Sequence, residues 1–185
     1  MMAARLQSGL QILQEVREMA GTERDRKPSW RHHFLVRHQR QEELFMRQHL
    51  HRLTVDTRGK GLTPITRPIV DWVEQSGVDV GLLTLWCRHT SCSLTVQENA
   101  DPTVRHDIGR FFERLVPEER GRYVHDYEGP DDMPAHLRTM LTDTSMSIPV
   151  TEGRPVLGTW QGLYLFEHRA APHRREIVLH LLGES

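Results

Sequence analysis

The chain has 185 residues, of which 24 are Lys or Arg and 25 are Asp or Glu, so its formal net charge is −1. This length suits one domain with an appendage. The balanced charge argues against a bulk polyanion such as nucleic acid as the partner. Only two cysteines occur, and no apolar run approaches the roughly 18 residues of a membrane span. These features predict a cytosolic protein with reduced thiols, and a disulfide between Cys87 and Cys92 is the less favoured alternative.

Twelve histidines distinguish this composition. Each imidazole can bind a metal or transfer a proton near neutral pH. At least half of them are expected to be surface or packing residues, among them His32, His33, His38, His106 and His173. The others matter where further polar residues accompany them.

The first 45 residues differ in pattern from the rest of the chain. Apolar residues recur at helical spacing up to residue 20 and predict an amphipathic helix; they are Leu6, Leu10, Leu13, Val16 and Met19. Residues 21–31 are charged, which favours a flexible linker, and residues 34–46 predict a second short helix. We therefore expect an N-terminal extension, helical or flexible, over residues 1–45 and a separate domain over residues 46–185.

The first part of that domain alternates strand and helix patterns. Residues 80–88 are apolar enough to predict a central strand that is buried on both faces. The other predicted elements are strands over 50–55 and 91–97, a turn over 58–61, and a helix over 65–75 that ends at Gly77.

The second part begins with a strong helix signal. Asp101 can cap free backbone N–H groups, and Pro102 tolerates the first helical position. That helix stops before Pro117, an irregular polar loop covers residues 118–130, and Asp131 or Asp132 caps a third helix.

Closing strands are predicted over residues 145–150, 160–168 and 176–182. The chain contains no βαβ repeat, G-x-G-x-x-G loop or Walker loop. The order of elements predicts an α+β fold, a compact single domain with a mostly antiparallel sheet and a few helices.

Polar residues gather at the ends of two neighbouring strands. His89 ends the most apolar strand, and Glu98 and Asn99 end the next one. If these strands pair through the intervening turn, His89 and Ser91 lie at one end of the hairpin and Glu98 lies at the other. Cys92 falls on the buried face of the second strand, where a thiol is usually inert packing.

A second polar cluster follows in the loop and at the start of the third helix. The nitrogen and oxygen donors of its histidines and carboxylates suit Zn²⁺ or another divalent transition metal. These residues are His125, Asp126, Glu128, Asp131, Asp132 and His136. The separation of eleven residues between the two histidines matches no recognised zinc motif. Spacing alone slightly favours an acidic loop with two incidental histidines.

The last predicted strands carry a third set of polar residues. Glu167 shares a face with Leu163 and Leu165, where a carboxylate needs a cation, a metal or hydrogen-bond donors. Arg174 and Arg175 form a small basic patch that can bind an anion, although a solvated basic turn is the more common explanation.

The chain also contains, in this order, the stretches H-T-S-C-S-L-T-V-Q-E-N-A-D-P, Y-V-H-D-Y-E-G-P-D-D-M-P-A-H and G-T-W-Q-G-L-Y-L-F-E-H-R. Together they resemble the YjbQ family, small proteins sometimes called secondary thiamine-phosphate synthase enzymes. The resemblance runs from about Met46 to Glu184. Family members tend to begin near Met46, so the first 45 residues are either an accessory extension or the result of an upstream start codon.

The resemblance implies a homotrimer with a divalent-metal site, and zinc is the expected metal. The family's histidines match His89, His125 and His136 as metal ligands, and its acidic positions match Glu98, Asp101 and Glu167. We expect Glu98 or Glu167 to be the catalytic base. The expected substrate-binding residues are Ser91, Asn99, Asp132, Gln161, His168, Arg169 and Arg174, with Arg169 or Arg174 holding an anionic group. Cys92 stands where a small residue such as alanine is common.

These features support the hypothesis of metal-assisted chemistry on a small phosphorylated or anionic metabolite. Weak thiamine-phosphate synthesis is the example that the resemblance supplies. One alternative is a non-enzymatic, trimeric module that binds a metal or metabolite. Another is a purely structural role for the histidines and acids in trimer packing.

Overall fold

The computed structural model describes residues 46–185, so the predicted extension over residues 1–45 lies outside the described residues. The described part contains three helices, which are α1 (Thr66–Ser76), α2 (Pro102–Leu115) and α3 (Asp132–Met140). Its strands are β1 (Arg47–Asp56), β2 (Gly61–Pro64), β3 (Val80–Cys87), β4 (Cys92–Glu98), β5 (Ser145–Thr151), β6 (Arg154–Pro155), β7 (Gln161–Glu167) and β8 (Arg174–Glu184). Among these residues, no helix is long and apolar enough to cross a membrane.

The strands form two sheets. The larger has the order β1-β8-β3-β5-β6, and the smaller has the order β2-β7-β4. Every strand pairing in both sheets is antiparallel. This arrangement confirms the predicted α+β fold.

Both sheets contribute to one apolar core. Leu83 and Leu85 of β3 are fully buried in the same cluster as Leu163 and Leu165 of β7. One face of α1 adds further apolar side chains to this cluster. As predicted, α1 ends at Gly77, whose φ of 72° is left-handed. The core therefore lies where the two sheets and α1 meet.

The prediction that β3 is buried on both faces is wrong. Leu83 and Leu85 point into the core, but the alternate side chains of Val80, Leu82 and Trp86 are 55%, 47% and 51% exposed. A continuous apolar run is expected for a strand covered on both faces. Such a run does not show whether the second face of the strand is covered by the same chain or is left exposed in that chain.

The conditional pairing of β3 with β4 does not occur either. β3 pairs with β5 and β8 in the larger sheet, whereas β4 pairs with β7 in the smaller one. Residues 88–91 therefore carry the chain from one sheet to the other. The short strands β2 and β6 were not predicted, because four and two residues give little periodicity to detect.

A buried ion pair joins the two sheets. Glu167, the last residue of β7, accepts hydrogen bonds of 2.7 and 2.6 Å from the guanidinium of Arg175 in β8, and one of 2.9 Å from the Thr57 hydroxyl. Burial by itself raises the pKa of Glu167, but the Arg175 hydrogen bonds and the backbone N–H of Arg169 hold that pKa below its ordinary value. The carboxylate is therefore charged inside the protein.

We predict that Arg175→Met lowers the free energy of unfolding by about 3–5 kcal/mol, because it leaves the Glu167 charge buried without a counterion. Denaturant titration measures the loss. The matched control is Arg174→Met, since the neighbouring Arg174 side chain is 79% exposed, and this variant should change stability by less than about 0.5 kcal/mol. Equal, small losses in both variants would contradict the account.

Candidate metal centre

Helix α3 and the loop before it bring three potential ligands together. Asp132 is the first residue of α3, and His136 lies one turn later on the same face. The loop folds back so that His125 Nε2 lies 2.7 Å from Asp132 Oδ2, and His136 Nε2 lies 3.6 Å from the same oxygen. One ligand atom from each of the three residues lies within 4.8 Å of the others. A single small cation can therefore contact all three.

A backbone contact fixes which nitrogen of His136 faces Asp132. His136 Nδ1 lies 3.0 Å from the carbonyl oxygen of Thr90. A carbonyl can only accept a hydrogen bond, so Nδ1 carries the proton and Nε2 of the neutral ring carries a lone pair. That lone pair faces a carboxylate oxygen, an arrangement that a cation or a proton between them stabilises. Metal-binding histidines are commonly held by such a backbone carbonyl.

Arg169 holds the acidic side of this cluster in place. Its Nη1 contacts Asp132 Oδ1, its Nε donates to Asp131 Oδ2 over 3.1 Å, and its Nη2 donates to the Glu128 carbonyl over 2.9 Å. Asp131 also accepts a 2.8 Å hydrogen bond from the backbone N–H of Ala170. All three guanidinium nitrogens are thus engaged within the protein, and Arg169 orients Asp132.

The prediction that the side chain of Asp131 or Asp132 caps α3 is wrong. Asp131 occupies the N-cap position of α3, but its side chain makes no capping hydrogen bond. Its carboxylate turns instead toward Arg169 and Ala170. Asp101 behaves as predicted, because its carboxylate accepts a 2.8 Å hydrogen bond from the N–H of Thr103 at the start of α2.

A cavity of about 720 Å³ adjoins the cluster. His136 lines it together with Trp86, Arg88, His89 and Thr139. The Nε2 of His89 accepts a 2.8 Å hydrogen bond from the backbone N–H of Glu176, so it lies outside the ligand cluster. Burial lowers the pKa of His89, and the positive charge of Arg175 acts in the same direction. His89 is therefore a neutral hydrogen-bonding group beside this cavity.

Two residues predicted to act on the substrate are buried. Glu167 is fully buried and paired with Arg175. His168 is 1% exposed, and its Nε2 lies 2.9 Å from the Ser93 hydroxyl. Burial lowers the pKa of His168 to about 3, and the charge of Arg138 acts in the same direction. Both side chains therefore stabilise the fold around the cluster, and neither is exposed to a substrate.

Other predicted residues lie at different places along β4 and β8. Glu98 pairs with Gln161 at one end of β4, whereas Cys92 pairs with Glu167 at the other end. The Asn99 amide donates to the carbonyl oxygens of Thr159 and Gln161 near the Glu98 end. Ser91 follows Thr90, whose carbonyl contacts His136, and Arg174 is largely exposed. Glu98 is not part of the cluster formed by His125, Asp132 and His136.

The chain is similar in sequence to proteins of one family. The sequence model of the family described as UPF0047 protein YjbQ-like matches residues 51–184. The chain belongs to the YjbQ family. The UPF0047 protein sll1880 of Synechocystis sp. is 53% identical over 138 residues, which cover 75% of this chain and 94% of that protein. The UPF0047 protein YjbQ of Escherichia coli O157:H7 is 47% identical and covers 71% and 96%.

Solved structures of YjbQ-family relatives share the fold. A YjbQ-like protein of Sulfolobus solfataricus P2 superposes with a TM-score of 0.70 at 26% identity, covering 76% of this chain and 100% of that one. The protein APE1520 of Aeropyrum pernix K1 gives a TM-score of 0.67 at 31% identity, covering 74% and 99%. The matched part of this chain therefore spans nearly the full length of these relatives.

Asp132 was predicted from the sequence to bind the substrate, and it was not among the predicted metal ligands. One signal could have revealed it, because Asp132 and His136 are four residues apart in a predicted helix and must share a face. The Arg169 clamp had no local signal, since Arg169 contacts residues 37 and 38 positions earlier in the chain.

We predict that His168 makes the fold sensitive to acid. Its pKa is about 3 in the folded state and close to the ordinary 6.5 when unfolded. Between these values only the unfolded chain binds the proton, so this contribution is fully present above pH 6.5 and is lost as the pH falls. The free energy of unfolding should fall by about 1.4 kcal/mol per pH unit from this group.

Urea titrations from pH 6.5 to pH 4 measure that slope. His168→Gln can keep a hydrogen bond to Ser93 but does not titrate, so its slope should be shallower by that amount. His106→Gln, at an exposed position of α2, should leave the slope unchanged. An unaltered slope in His168→Gln would contradict the assignment.

Proposed function

We propose that the protein binds one divalent metal ion through His125, Asp132 and His136 and acts on a small anionic metabolite in the adjoining cavity. The supporting observation is the convergence of three ligand atoms within 4.8 Å. The Thr90 carbonyl adds to it by directing the His136 lone pair toward Asp132.

The donor set fits a catalytic type of metal site. Two imidazoles and one carboxylate suit zinc or iron(II), and three protein ligands leave coordination positions free for water or substrate. A bound divalent ion would supply Lewis-acid stabilisation of charge on a phosphate or pyrophosphate group. His125 is half exposed, and the His136 side chain is 33% exposed, so a ligand can approach from the solvent side.

The cavity limits the size of the proposed substrate and provides groups that can bind it. Trp86 supplies an aromatic surface and His89 a neutral imidazole. Arg88 supplies a guanidinium whose Nη1 already contacts the Glu176 carboxylate. Because His89 Nε2 accepts from a backbone N–H, Nδ1 remains as its donor toward a ligand. A planar or heterocyclic metabolite with a phosphate group would match this lining. Thiamine-phosphate synthesis is one reaction that uses such metabolites. We propose that the protein acts in the cytosol.

Removal of a proposed ligand tests metal binding directly. Asp132→Asn and His136→Ala should weaken zinc binding more than about 100-fold, since even supporting residues around a metal often change affinity by 10–100-fold. Competition titration of freshly purified, metal-stripped protein measures the affinity. His106→Ala on α2 is the matched control and should bind like the wild type.

The proposal fails if the wild-type protein holds no stoichiometric metal. It also fails if Asp132→Asn binds zinc as tightly as His106→Ala does. Loss of folding is monitored separately by thermal unfolding, so a weak titration in an unfolded variant is not mistaken for loss of a ligand.

One observation favours the non-enzymatic alternative. The two carboxylates predicted to be the catalytic base, Glu98 and Glu167, lie at a distant strand end and inside an ion pair. A module that only binds a metal or metabolite needs no such base. Incubation of zinc-loaded wild type and of Asp132→Asn with a metabolite extract separates the two functions. An enzyme should consume a compound with repeated turnover in the wild type and not in Asp132→Asn, whereas a binding module should consume none.

We also propose that the open face of the larger sheet forms the homotrimer contact. Leu82 of β3 lies opposite Leu182 of β8, and Leu50 of β1 lies opposite His180. Leu82, Leu182 and Leu50 are 47%, 40% and 64% exposed. Within the described residues, His180 Nε2 is buried without a hydrogen-bond partner. An open apolar face of this kind marks an association surface.

Leu82→Glu should therefore shift the protein from trimer to single chains in light-scattering chromatography, because it places a charge at the centre of that face. Leu115→Glu is the matched control, since Leu115 is a comparably exposed leucine on α2. It should leave the assembly unchanged. A wild-type protein that elutes as a single chain would contradict the proposal.

A further inference from the structure

The only two cysteines of the chain lie side by side between the two sheets. Cys87 ends β3, and Cys92 begins β4. Both are free and buried, and their sulfur atoms are 3.4 Å apart. The Cys87 sulfur also lies 3.5 Å from the Cys92 carbonyl oxygen. Simple packing does not require two thiols to face each other across this connection.

The geometry allows a covalent link with little movement. The sulfur atoms of a disulfide are about 2.05 Å apart, so these two must approach by a little more than an ångström. Residues 88–91, which join them, form no helix or strand. This irregular connection can absorb the shift without disturbing the strand pairing on either side.

The cavity beside the metal cluster gives access to one of the thiols. Cys87 lines the cavity of about 720 Å³, although its exposed fraction is only 1%. A small oxidant that enters the cavity can therefore reach this sulfur. Cys92 has no exposed surface and faces Cys87.

We propose that Cys87 and Cys92 form a dithiol that a peroxide oxidises to an intramolecular disulfide. The Cys87 thiolate attacks one peroxide oxygen, the O–O bond breaks, and the hydroxide released takes up the thiol proton as water, leaving a sulfenic acid on Cys87. The Cys92 sulfur then attacks the Cys87 sulfur, and the S–O bond breaks. The second hydroxide leaves as water with the Cys92 proton. Two thiols are oxidised, and one peroxide is reduced to two waters.

The disulfide would restrain the connection that supports the metal cluster. Residues 88–91 include Thr90, whose carbonyl accepts the His136 Nδ1 hydrogen bond, and His89, which accepts from the backbone of Glu176. Fixing this connection holds His136 ready to bind, so oxidation should tighten zinc binding. This consequence, unlike disulfide formation itself, rests on the proposed function.

The first test uses the full chain, whose two cysteines make the result easy to count. After hydrogen peroxide treatment and maleimide labelling without reductant, the wild type should lose two hydrogen atoms in intact mass and accept no label. Reduction should restore two labels. Cys87→Ser and Cys92→Ser should each lack the intramolecular product. Two remaining labels, sulfinic acid without disulfide, or disulfide-linked dimers would overturn the proposal.

The second test compares zinc affinity of the oxidised and reduced wild type. Oxidised protein should bind about threefold more tightly or better, a smaller change than the 10–100-fold caused by removing a group that orients a metal ligand, because oxidation only restrains such a group. Cys92→Ser treated with peroxide is the control and should show no gain. Equal or weaker binding by the oxidised protein would overturn the coupling. If reduced protein also binds no zinc, the proposed function fails while the mass result still decides the disulfide.

Discussion

The buried carboxylate of Glu167 is the contact on which the rest of the structure depends. It joins the two sheets through Arg175, and its Oε1 also accepts hydrogen bonds of 3.0 Å from the backbone N–H groups of His168 and Arg169. Those bonds set the start of the segment from which the Arg169 side chain reaches Asp132. A charge buried for structural reasons thus supports a charged site at the surface, through one arginine between them. Removing the partner of such a buried carboxylate strongly lowers the free energy of unfolding.

The candidate cluster and the open sheet face meet at Trp86. Its side chain lies on the same exposed face of β3 as Leu82, and it also lines the cavity next to His136. In the proposed trimer, a neighbouring chain that covers this face therefore reaches the edge of the cavity. This arrangement relates assembly to ligand binding, although the three proposed metal ligands all come from one chain.

Much of the fold could be predicted because its signals are local. The strand over residues 91–97 and the Asp101 cap of α2 each depend on neighbouring residues, and the structure confirms both elements. The predicted alternation of burial along β4 is wrong, because Ser93 is as fully buried as Cys92 and Leu94. The pairing of strands and the open face of β3 could not be predicted, because they depend on which distant surfaces meet. Within the candidate site, His125 and His136 were identified through the family resemblance. The placement of Asp132 beside them depends on loop closure and on Arg169, which lies far along the sequence.

The most direct test of the account is the position of the metal. Crystals of zinc-loaded protein, measured on both sides of the zinc absorption edge, should show one anomalous peak about 2.0–2.2 Å from His125 Nε2, His136 Nε2 and a carboxylate oxygen of Asp132. In the same map, Arg169 should still contact Asp132. A peak centred on His89 without Asp132, or a cluster that remains without a peak in zinc-saturated crystals, would contradict the account.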